Sequence, residues 1–176
     1  MGIEFWILHQ LQSLHGPVLD QLMVMITFLG DKGWVWIATA LILCCHPKTR
    51  TCGIGMLLSL LAGFLAGNCL LKNLIGRSRP CWITEPGLPL LISNPQDYSF
   101  PSGHTLASFE SAVTILFYHK GWGMAALILA ALIGFSRMYL FVHFPTDVLA
   151  GALLGIGIAL IVRKGMSKYR KQVTYG

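Results

Sequence analysis

Eight residues of the 176-residue chain have types and spacing suited to phosphoryl chemistry: Lys72, Arg79, Ser102, Gly103, His104, Arg137, His143 and Asp147. Lys72, Arg79 and Arg137 are three fixed cations, a match for a dianion such as phosphate. Ser102 and the backbone N–H groups of Gly103 and His104 stand in "PSGH", where an apolar run begins. A helix N-terminus there binds anions, and glycine lets the backbone approach a ligand closely. Two imidazoles can supply a nucleophile and a general acid. Asp147 can hold one of them in a single tautomer, as the aspartate of a catalytic triad does. The residues alone do not say which histidine takes which role.

Each residue taken singly has a blander reading. Lys72 can snorkel to an interface, Arg77 and Arg79 can be loop charges, and Ser102 can be only an N-cap. Asp147, just after Pro145, can simply offset a helix dipole. The combination carries the argument, because charged groups at the mouths of apolar segments are costly and mark function. Glu110 and Asn68 lie deeper and read as structural. Trp34, Trp36, Trp82, Tyr98 and Tyr139 fit an aromatic belt. His9, His15, His46 and His119 are placed away from the site, near the opposite face or its connections. Too few carboxylates stand together for a metal cage, and no metal or other cofactor is expected.

The elements that must position these groups are membrane helices. The chain is 55% hydrophobic and 11% charged, with mean hydropathy +0.65, whereas a soluble domain carries about a quarter charged residues. A single all-α membrane domain over 1–176 is expected, with no cleavable signal peptide. Residues 2–14 read as an interfacial amphipathic helix. Six membrane helices follow, near 17–29, 34–45, 51–76, 103–118, 122–140 and 145–162, with a polar, Pro-containing loop over 77–101. Gly63 with Gly67, and Gly151 with Gly155, have the small-residue spacing of close helix contacts. The cysteines Cys44, Cys45, Cys52, Cys69 and Cys81 have no metal-ligand spacing and suggest no disulfide.

The net charge of +6 does not point to nucleic acid. Lys48, Arg50, Lys120, Arg163, Lys164, Lys168, Arg170 and Lys171 fall on one side of the expected bundle. That side is cytoplasmic by the positive-inside rule. Both termini are then inside, and the polar cluster faces outward. The basic tail suits anionic membrane lipid.

The three clusters "KNLIGRSRP", "PSGH" and "SRMYLFVHFPTD" fit Lys-x6-Arg-Pro, Pro-Ser-Gly-His and Ser-Arg-x5-His-x3-Asp. In these motifs the chain closely resembles the type 2 phosphatidic acid phosphatase family of membrane lipid phosphatases. The resemblance implies His143 as nucleophile forming a phosphohistidine and Asp147 as its orienting carboxylate. It implies His104 as acid and then base, with Lys72, Arg79, Ser102, Gly103 and Arg137 on the phosphoryl oxygens. It implies metal-independent hydrolysis of a lipid phosphate or pyrophosphate in the bacterial cytoplasmic membrane. Candidate substrates are undecaprenyl pyrophosphate, phosphatidylglycerophosphate and phosphatidate. Phosphotransfer to another alcohol is the alternative activity. A non-catalytic lipid-binding or transport protein has no need of His104, His143 and Asp147 together.

Overall fold

A helix satisfies its own backbone polar groups in apolar surroundings, and each long apolar run of this chain becomes one. The computed structural model describes residues 2–84 and 86–175, with side chains as far as Lys168; the side chains of Arg170 and Lys171, assigned above to the basic side, lie outside those described. The described residues form helices and no strand. In chain order these are α1 (Ile3–Gln12), α2 (Pro17–Gly30), α3 (Trp34–Cys45), α4 (Arg50–Gly63), α5 (Lys72–Ile75), α6 (Pro80–Ile83), α7 (Gly103–Tyr118), α8 (Lys120–Tyr139) and α9 (Pro145–Tyr175). A 3₁₀ turn, Asp31–Gly33, joins α2 to α3, and a π-helical stretch, Phe64–Leu71, joins α4 to α5. Pro17, Pro80 and Pro145 each open a helix, where a missing N–H costs nothing.

Four stretches are long and apolar enough to cross a membrane: Pro17–Cys45, Arg50–Ile83, Lys120–Tyr139 and Pro145–Lys168. The six separate spans expected from sequence are corrected at the first two, which form one stretch of 29 residues. Segments of 14 and 12 residues are each short of the roughly 20 that a bilayer needs. Joined, they run the length of the bundle. The first part docks on α8 through Asp20 and Tyr139, and the last part packs on α4, where Gly53 faces the backbone of Ala40 and Cys44.

A second correction follows from α1. Its Glu4 bonds Thr146 at the start of α9, and α9 then runs away from it. Helix α1 and the far end of α9 therefore lie at opposite ends of the bundle, not together as expected.

Helix α7, 16 residues long, is the central post, packed against α4, α8 and α9. Both small-residue pairs face it. Gly63 and Gly67 back onto Leu106, and a Cβ on Gly151 or Gly155 would sit 2.7 Å from the Ser102 carbonyl or 2.6 Å from that of Leu106. Removing those side chains lets the helix backbones touch. Trp36 is not part of an aromatic belt. It is buried with Met56, Ile115 and Ile133 and donates to Ser108 Oγ at 3.0 Å. Tyr139 is also interior, donating to Asp20 Oδ1 at 2.6 Å. His15 stacks on Tyr139, so it sits at the same end as the polar cluster, outside its cavity.

Candidate active site

The polar helix ends meet around a cavity of about 490 Å³, lined by Lys72, Arg79, Gly103, His104, Arg137 and His143. Ser102 and Asp147 stand behind its wall. A larger cavity of about 830 Å³ opens at the far end, between Ile54, Phe117 and Met166. Among the described residues its lining brings no histidine and no carboxylate.

Lys72 and Arg79 stand on different helices. Gly76 adopts φ 59 and ends α5, a left-handed conformation that suits glycine. Arg79 then sits at the N-cap of α6. The two cations converge through Asp97 instead, whose carboxylate bonds Lys72 Nζ and accepts from Arg79 Nη2 at 2.6 Å. Burial opposes ionisation of Asp97, but Lys72 and Arg79 outweigh it and hold the carboxyl at about 2. Arg137, from the last turn of α8, donates to Thr27 Oγ1 at 2.6 Å and is almost fully buried.

His143 lies in the short connection between α8 and α9. Burial, then the charges of Arg79 and Arg137, push its imidazole well below the usual histidine value. That direction favours the neutral ring, the form a nucleophilic nitrogen requires. Its Nε2 faces Arg79 Nη1 at 3.1 Å. Its Nδ1 lies 3.3 Å from Ser99 Oγ, and Ser99 Oγ donates to Asp147 Oδ2 at 2.5 Å. Asp147 itself is 3.6 Å from Nδ1. The carboxylate thus reaches the imidazole through a serine hydroxyl.

Asp147 is fully buried and heavily bonded. It accepts from the Phe144 N–H at 2.8 Å and from Arg77 Nη1 at 2.7 Å. Arg77 also pairs with Glu4 at 2.6 Å and lies over the Phe144 ring, 4.1 Å from its centroid. His104, in the first turn of α7, holds Asp31 at 2.8 Å through Nε2. Ser102 caps α7, accepting from the Thr105 hydroxyl at 2.9 Å. Glu110 packs between α4 and α7 against Gly63, and Asn68 against Gly103.

Sequence reasoning missed Asp31, Asp97 and Ser99, and dismissed Arg77. The neighbouring sequence gave a hint for two of them. Asp97 and Ser99 stand directly before "FPSGH", close enough for that motif to carry them into the cavity.

Comparison with known proteins matches this arrangement to a family. The PAP2 superfamily profile matches residues 53–171. An undecaprenyl-diphosphatase of Sulfolobus acidocaldarius is 36% identical over 144 residues, covering 81% of this chain and 68% of that protein. The crystal structure of Aquifex aeolicus LpxE superposes with TM-score 0.82 at 27% identity, covering 93% of this chain and 96% of that one. The PAP2-type phosphatidylglycerolphosphate phosphatase of Bacillus subtilis superposes with TM-score 0.73 at 27% identity, covering 96% and 88%. With the profile spanning most of the chain and phosphatases among its relatives, the protein belongs to the PAP2 superfamily and to its membrane lipid phosphatases.

Proposed function

We propose that the protein removes the terminal phosphoryl group of a lipid phosphate or diphosphate at the outer face of the cytoplasmic membrane, through a phosphohistidine and without a metal. The observation that carries this reading is the convergence of two imidazoles and three cations on one cavity. Val24, Phe28 and Ile92 line the same cavity, an apolar wall suited to a substrate whose tail stays in the bilayer. Undecaprenyl pyrophosphate leads the candidates on the strength of the relatives' names, ahead of phosphatidylglycerophosphate and phosphatidate.

In the proposed first step the lone pair of His143 Nε2 forms the N–P bond while the P–O bond to the lipid breaks. The departing oxygen takes that electron pair and a proton from His104. Lys72, Arg79 and Arg137, with the N–H groups at the start of α7, hold the charge on the three remaining phosphoryl oxygens. Ser99 and Asp147 keep His143 Nδ1 protonated, which leaves the lone pair on Nε2, the nitrogen that faces Arg79 Nη1. In the second step His104 takes a proton from water. The water oxygen attacks phosphorus, and the P–N bond returns its electrons to His143.

The test is phosphate release by the purified protein from a panel of these lipids, with and without EDTA. Release is expected to survive chelation and to be blocked by vanadate. Acid-labile, base-stable phosphate is expected on the wild-type protein after rapid quench, and none on His143→Ala. Strict dependence on added magnesium, or label that persists in His143→Ala, would overturn this mechanism.

A further inference from the structure

The turn Gly30–Gly33, "GDKG", is one piece of polar chain that the mechanism leaves unused. It lies between α2 and α3, in the middle of an apolar stretch. Two of its residues, Asp31 and Gly30, meet His104. Asp31 Oδ1 is 2.8 Å from His104 Nε2, and both residues line the cavity. Gly30 runs against the imidazole so closely that an added Cβ would meet His104 Cδ2 at 2.8 Å and Ile133 Cγ2 at 2.9 Å. Lys32 and Gly33 then take φ 50 and φ 68, a left-handed conformation that lysine seldom adopts.

A helix cap does not explain the aspartate. The N-cap of α3 is Gly33, and no side chain caps that helix. The carboxylate bonds His104 instead.

We infer that the Gly30–Gly33 turn is a cradle for the His104 imidazole, in which Asp31 is the positioning residue that fixes the ring and its tautomer. The inference rests on the proposed role of His104 as proton donor. With Nε2–H donated to Asp31, the imidazolium carries its second proton on Nδ1, which passes it to the departing oxygen and, left with the lone pair, takes one back from water. A carboxylate on one ring nitrogen selects which nitrogen does the work. The bundle then uses two carboxylates for two imidazoles. One acts on His143 through Ser99, and the other acts on His104 directly.

The leaving group provides the test. An alkoxide leaving from phosphatidate needs a proton, whereas the acidic phenol of p-nitrophenyl phosphate does not. Asp31→Asn and Asp31→Ser are compared with wild type for burst rate on both substrates and for vanadate binding. Each variant is expected to lose on the order of 10–100-fold on phosphatidate, to keep its aryl burst within about threefold and to bind vanadate as wild type does. In a His104→Ala background the same substitutions are expected to cost nothing further, because Asp31 acts only through that ring.

Equal losses on the two substrates would overturn the proposal, as would full additivity with His104→Ala. Loss of vanadate binding together with both activities would mean that Asp31 holds the pocket and not the imidazole. Wild-type protein inert on the aryl ester and on every lipid of the panel would defeat the phosphatase mechanism itself. Normal wild-type turnover with unchanged Asp31 variants would defeat this inference alone.

Discussion

Asp97 puts a carboxylate on two of the three cations proposed to receive the phosphoryl group. Lys72 and Arg79 both bond it, so a phosphoryl group entering there competes with a resident anion. Asp97→Asn is expected to tighten vanadate inhibition several-fold, and weaker inhibition would show that Asp97 holds the cations in place for the ligand. The same carboxyl makes a pH prediction. It is held at about 2 on folding, below the roughly 3.9 of an unfolded aspartate. The stabilisation is therefore fully present above the unfolded value and is lost as pH falls through about 2. The Tm difference between wild type and Asp97→Asn should be flat from about pH 5 to 8 and shrink below about pH 4. Asp97 also shows where sequence reading stops. Lys72, Arg79, His104 and His143 were legible because the chemistry restricts their types and places them at helix mouths. Asp31 and Arg77 reach their partners across separations of 73 and 70 residues. Only tertiary packing creates those contacts, and a lone aspartate in a turn looks like any turn aspartate.

At the scale of elements, α1 is coupled to the site by one guanidinium. Glu4 holds Arg77, Arg77 holds buried Asp147, and Asp147 holds Ser99 beside His143. Glu4 also accepts from the Thr146 N–H at 3.2 Å, in the first turn of α9. Removing one partner of a buried ion pair strands the other, at about 3–5 kcal/mol. Arg77→Ala is expected to lower both Tm and kcat, the latter at least about tenfold, with Arg77→Lys intermediate because lysine keeps the charge and loses the fork. Glu4→Gln leaves the Arg77–Asp147 pair intact and should cost only a few-fold. If Glu4→Gln matches Arg77→Ala in kcat, α1 and not the ion pair is holding Asp147. Sequence periodicity found these helices but not their irregularities. The run 51–76 read as one regular helix, yet Phe64–Leu71 is π-helical, a feature common at functional sites. It immediately precedes Lys72, and composition gives no sign of it.

For the whole molecule, the joined stretch Pro17–Cys45 changes the topology. Two crossings there would return the chain to its starting side. One crossing puts α1 at the cavity end and the far end of α9 opposite. With α7 counted as a crossing, we propose five in total and not six. Lys48, Arg50, Lys120, Arg163, Lys164 and Lys168 all belong to the end away from the cavity, and on the positive-inside rule we propose that this end is the cytoplasmic one. The cavity and α1 then face outward together, which the Glu4–Arg77 pair requires, since its partners must share one side. Single cysteines test this in a background where Cys44, Cys45, Cys52, Cys69 and Cys81 are replaced and phosphatase activity is retained. Ser13, Gln96 and Ser167 are all exposed. Ser13→Cys and Gln96→Cys are expected to react with an impermeant thiol reagent in intact cells, and Ser167→Cys only after permeabilisation. Protection of Ser13→Cys while Gln96→Cys reacts would restore six crossings and break the link from α1 to Asp147. Labelling of Ser167→Cys alone would turn the cavity inward, and the substrate would then have to be presented from the cytoplasmic leaflet.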